Sequence, residues 1–185
     1  MIGLDSWIVQ DGNYPDFEVG GRDAFGVEAF PDDLRRADVQ APSAVTVEGS
    51  RYALSGRVSF VHAEAWVIDV GISCYGNRGL PAGVAAGDGI AGEAYLGIEG
   101  PGVYDEAFFR NAPPLRYSWR IDRIRLETTP WVEVGPQTLA RDKSRVGYRD
   151  VERTNAWEDD EGRAHYLLEC VVVGGTPRSL SRPRR

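Results

Sequence analysis

Lysine, histidine and cysteine are scarce in this 185-residue chain, and each scarcity excludes something. Lys143 is the one lysine among 21 basic residues, so arginine carries the positive charge. With abundant Ala, Gly, Val and Asp, that bias is what a GC-rich coding sequence produces, so it points to a bacterial source rather than to arginine's bidentate geometry. Cys74 and Cys170 are too few for a disulfide scaffold. Each falls in an apolar, strand-like run, where a thiol in a reducing cytosol packs as a small hydrophobe. The two histidines, His62 and His165, would make a zinc site only by converging with both cysteines. His62-Ala63-Glu64 is the H-x-E half of a zinc deaminase signature whose P-C-x-x-C half is missing. No metal and no other cofactor is expected. The chain also lacks any run of about 18 apolar residues, the length a membrane helix needs. Its first residues, MIGLDSWIVQDG, carry an acid at Asp5 and no basic leader, so a cytoplasmic protein without a membrane span is expected.

What is present is an ordinary globular composition, 42% hydrophobic and 26% charged, in the size range of one domain. The net charge of −7 is unevenly spread. Residues 1–109 hold six Arg against 17 acids, a net of −11, while residues 110–185 hold 15 basic residues against 11 acids, a net of +4. Such an asymmetry steers charged partners or pairs two copies head to tail.

The dominant period is two, the signature of half-buried strands. From Ala65 to Tyr75 the even positions read Trp66, Ile68, Val70, Ile72 and Cys74, and the odd ones include Asp69, Gly71 and Ser73. Tyr52 to Val61 puts Tyr52, Leu54, Val58 and Phe60 on one face, with Gly56 as a bend or bulge. Gly89 to Glu99 alternates Ile90, Ala94, Leu96 and Ile98 with Glu93, Tyr95 and Glu99. Leu115 to Glu127 shows Trp119 and Ile121, then Ile124 and Leu126; that phase slip predicts a bulge near Asp122-Arg123. Further strands are expected at Ala24 to Phe30, Val45 to Glu48, Pro130 to Val134, Val146 to Arg153 and His165 to Val173. A short helix is expected near 103–111, opened by Asp105-Glu106 and ended by Asn111 with Pro113-Pro114.

The class is therefore all-β. The order strand, strand, strand, helix, strand over about 51–127, with the Gly87-Asp88-Gly89 turn into a strand, resembles the OB-fold, a small Greek-key barrel. That resemblance implies a barrel elaborated by N- and C-terminal strands; a β-sandwich and a larger closed barrel are the alternatives. One β-rich domain over 1–176 is expected, followed by a mobile basic tail, PRSLSRPRR, over 177–185. Glu158 to Gly162 is read as an acidic solvated loop before the last strand.

Gly87 to Gly92 has the G-x-G-x-x-G spacing, but a strand follows it, and no helix N-terminus is expected there to hold phosphates. Catalytic candidates reduce to His62, Glu64 and Asp69, grouped with Tyr95 in a barrel mouth. Asp69, flanked by Ile68 and Val70, is the acid expected to be partly buried and to pair with Arg57. Binding candidates are Arg57, Tyr75 and Tyr95, the tyrosines as outward platforms, with Trp7 and Tyr14 in an aromatic N-terminal segment read as a strand covering one barrel end. The leading expectation is a non-catalytic module of the immunity or adaptor type. It would recognise a protein partner or a second copy by setting its acidic part against a basic surface. The second is a small-ligand binder or enzyme using the His62, Glu64 and Asp69 site. The third is an OB-like single-strand binder, disfavoured because Asp69, Glu93 and Glu99 on the same face repel phosphate. No membrane partner is expected.

Overall fold

The computed structural model describes residues 1–63, 65–100 and 112–174. Glu64, the helix expected over 103–111 and the tail 177–185 lie outside the described residues. In chain order the elements are β1 (Ile2–Asp5), α1 (Ser6–Gln10), β2 (Arg22–Phe25), β3 (Val27–Pro31), β4 (Arg35–Arg36), β5 (Ser43–Glu48), β6 (Arg51–His62), β7 (Ala65–Asp69), β8 (Ser73–Gly76), β9 (Gly89–Ile98), β10 (Tyr117–Glu127), β11 (Trp131–Gly135), β12 (Thr138–Arg141), β13 (Tyr148–Val151) and β14 (His165–Val172). The architecture is an all-β barrel with extra strands.

The ring of the barrel runs β6, β7, β8, β3, β9 and back to β6, closed by the β9–β6 pairing. Its neighbours are antiparallel except β3 and β8, which run parallel. β1 pairs with β9 on one side and β14 on the other, so the barrel continues into an outer sheet of β14, β10 and β13. β2 pairs with β10, β5 lies along β6 as the last strand of the sheet, and β11–β12 form a separate hairpin. The ring therefore takes β3 from the N-terminal side and leaves β10, which falls within 51–127, to the outer sheet.

Two local details carry this geometry. The alternating run 65–75 is a hairpin, not one strand. Gly71 turns it at φ +102, Asp69 Oδ1 accepts the Gly71 N–H at 2.9 Å, and Ile68 then pairs with Cys74. Gly56 is needed for close approach, because a Cβ there would sit 2.1 Å from the Asp69 carbonyl oxygen. The bulge of β6 falls instead between Val58 and Phe60, which turns Phe60 away from the main core toward Val67, Tyr75 and Leu115. The phase slip in β10 is a register shift between Ile121 and Arg123, as its sequence predicts.

The main core fills the barrel and its junction with the outer sheet: Trp66, Ile68, Cys74, Ile90, Ala94 and Ile98 from the ring, Ile121, Ile124 and Leu168 from outside it. The N-terminal aromatics join it through Phe17 and Phe25, the latter stacked on Trp119 at 5.3 Å. The segment read as a covering strand is in fact β1 followed by the short helix α1, whose Ile8 and Val9 are buried while Trp7 stays half-exposed.

Candidate functional site

Residues directly opposite one another on neighbouring strands project to the same face. That rule defines a bare outer face on the barrel. Glu48, Arg51, Tyr95 and Phe30 form one row across β5, β6, β9 and β3. A second row holds Val45, Ala53 and Glu93, and a third Ser43, Ser55 and Ala91, the last opposite Arg35 of β4. Tyr95 and Phe30 are 45% and 36% exposed. Arg51 is fixed between Glu93 at 2.8 Å and Asp32 at 3.2 Å, with its guanidinium 5.8 Å from the centre of the Tyr95 ring. At the margin of this face lies β5, exposed at all six positions.

The outer face on the other side of the ring is covered. Tyr75 does point outward, opposite in direction to Cys74, yet it is fully buried because Leu115 and Phe60 close over it and Val67. Its expected role as an exposed platform is thereby lost. Its hydroxyl donates to Glu28 Oε2 at 2.8 Å, and burial with the nearby Glu28 charge raises its pKa well above the ordinary value. Burial also raises the pKa of Glu28, against the opposing hydrogen bonds from Tyr75 and the Gly100 amide. Tyr14, the other aromatic binding candidate, is buried as well. It donates to Glu99 Oε1 at 2.6 Å, beside Arg116 Nε, which donates to the same oxygen at 2.5 Å. Burial works against the Arg116 charge, but Glu99 and Tyr14 outweigh it and raise its pKa. Glu99 Oε2 is buried without a hydrogen-bond partner among the described residues and packs over Gly26, where a Cβ would come within 2.3 Å.

Glu28 escaped the sequence reading, and Glu99, expected on an outward face with Glu93 where it would repel phosphate, is instead fully buried against Arg116. One signal for Glu28 was its place inside the apolar run Val27 to Phe30, the criterion applied instead to Asp69. Asp69 is exposed and caps its own turn. Arg57 faces it in register but donates to the Val39 and Gly87 carbonyls. His62 stands at the far end of the β6–β7 hairpin from Asp69, so the two do not converge with each other or with Tyr95, which sits opposite Arg51. Trp7 is 49% exposed on α1 and lies beside Gly100, and it takes no part in the cross-strand rows.

A cleft of about 320 Å³ does open at one end of the barrel, lined by Ala44, Val27, Leu96, Ile72, Trp119 and Cys170 among others, with none of His62, Asp69 or Tyr95 in its walls. Burial pushes the Cys74 and Cys170 thiols up to about 12, so neither is a thiolate nucleophile near neutral pH. Among the described residues no group of three or more His, Cys, Asp or Glu is placed to hold a metal ion. The acidic loop is not simply solvated. Asp160 accepts from Arg141 and Trp131, and Asp159 accepts from Tyr166. Among the described residues, Arg116, Arg120, Arg123, Arg141, Arg145 and Arg163 of the C-terminal half are each paired to a carboxylate of this chain. Among the described residues no helix is long and apolar enough to cross a membrane.

The fold and the bare face define a five-stranded barrel module whose sheet margin is uncovered among the described residues. No protein-family model matches the chain, and no curated protein or solved structure matches it.

Proposed function

We propose that this chain is a non-catalytic binding module that recognises a protein partner by extending its sheet at β5. The observation that carries the reading is β5 itself. It is a six-residue strand, exposed throughout, with Val45 62% and Val47 50% exposed and no strand hydrogen-bonded to its outer edge among the described residues. Edge strands normally avoid such exposure with lysine, proline or a cover. β5 has only Pro42 before it and a bulge between Thr46 and Glu48. Strand addition satisfies a row of free backbone groups while alternate side chains supply specificity. An immunity or adaptor role fits a module of this kind, and two free cysteines fit a reducing, cytoplasmic setting.

The test is selection of extended peptides from a random library against the full chain, followed by re-measurement on Val45→Pro and Val45→Lys. Binding to the wild type that is lost in both variants is the expected result. Peptides that bind all three proteins equally would overturn the reading. The apolar cleft favours a second reading, a carrier of a small neutral ligand. A hydrophobic dye whose fluorescence rises with the wild type but not with Ala44→Trp, which fills the cleft mouth, would support it, and equal fluorescence with both proteins would oppose it.

A further inference from the structure

We infer that the partner presents a basic, arginine-bearing surface that lies over the bare outer face formed by β3, β6 and β9. The inference rests on the strand-addition reading for the class of partner, and on separate observations for its charge.

Over this face and its β5 margin, among the described residues, Asp32, Asp33 and Glu93 are paired with Arg35 and Arg51, and Glu48 forms no ion pair. Both guanidiniums are already committed, Arg51 to two carboxylates and Arg35 to Asp33, so two acids' worth of charge is left uncompensated. Two aromatic rings, Tyr95 and Phe30, stand in this acidic field in direct cross-strand register. Exposed aromatics anchor interfaces, and aromatic faces beside carboxylates attract guanidinium groups. Arg51 near the Tyr95 ring is an internal instance of that contact. Between the charged row and the far end of the face lie Ala53, Ser55, Ala91 and Ser43, small side chains that let another backbone or long basic side chains approach closely. A second copy of the chain is disfavoured as the occupant, because it would set this negative face, on a molecule of net charge −7, against its like. Nucleic acid is repelled for the same reason.

The test uses isotope-labelled full-length chain and an arginine tetrapeptide amide as probe, with a glutamate tetrapeptide as control. Amide shifts confined to the Arg51, Glu93, Tyr95 and Phe30 rows are expected. The apparent affinity should fall about tenfold between low and high salt, where exposed charges are screened, and about fivefold in Tyr95→Ala or Glu93→Gln. Equal shifts from the glutamate peptide, or shifts mapping elsewhere, would overturn the proposal, as would self-association through this face. Val45→Pro keeps the two readings apart. It should abolish strand addition yet leave the arginine-peptide shifts in place, so either can fail without the other.

Discussion

Tyr75 and Tyr95 both project outward from the same barrel, one from β8 and one from β9, yet only Tyr95 meets solvent. Over Tyr75 the chain lays Leu115 and Phe60, and the carboxylate beside it, Glu28, is driven toward its protonated form by burial. Among the described residues nothing is laid over Tyr95, and the carboxylate beside it, Glu93, keeps an arginine at 2.8 Å in a partly exposed setting. The difference teaches that pointing away from the core does not make a residue available; what passes over it decides. It also separates two uses of polar groups, one tying covering segments to the barrel and the other leaving charge for a visitor.

The largest expected effect comes from breaking the covered side. Glu99 is fully buried and Arg116 is the only cation bonded to it among the described residues. Arg116→Met should cost about 3–5 kcal/mol in urea denaturation, because it strands a buried charge. A loss below about 1 kcal/mol would show that the pair does not hold this side closed. Tyr75→Phe comes next, at about 1–3 kcal/mol, because it removes the donor to a buried carboxyl.

Glu28→Gln sharpens the contrast through its pH dependence. The folded protein holds the Glu28 proton more tightly than the unfolded chain, whose glutamates sit near 4.5. Wild-type stability from this group therefore declines as pH rises above that value, and the penalty is complete above the raised folded pKa. The variant lacks the titration, so its stability relative to wild type should improve from about pH 4 to about pH 8. Thermal melts across that range check it, and a difference that is flat or of opposite slope would mean that burial does not govern this carboxyl.

Much of the architecture was legible because alternation is a physical record of which side faces the core. The β10 bulge showed as a one-residue phase slip, and the inward set Trp66, Ile68 and Cys74 was readable. The hairpin at Gly71 was not. Ile68 pairs with Cys74 and Trp66 with Gly76, so partners share parity and the pattern runs through the turn unbroken. Nor does alternation name a strand's neighbour, which is why β3 took the closing place in the ring while β10 joined the outer sheet. At the site, Tyr95 was legible as an outward aromatic. Tyr14 and Tyr75 failed as exposed groups because a distant segment covers them, and a covering contact leaves no local period.

The smallest expected effect on stability, and the most informative for the comparison, is at Tyr95. Its ring is 45% exposed, its hydroxyl makes no hydrogen bond among the described residues, and the Arg51 guanidinium lies 5.8 Å from the ring centre. Tyr95→Ala should change unfolding free energy by no more than about 0.5 kcal/mol, the usual range for a surface substitution. Tyr75→Phe, which deletes a single oxygen on the covered side, should cost more than this loss of an entire ring on the bare one. Measured together by urea denaturation, the pair inverts the ordering that side-chain size alone dictates. If Tyr95→Ala proves the more destabilising, Tyr95 is a structural residue, and the bare face is held for the fold's sake and not for a partner's.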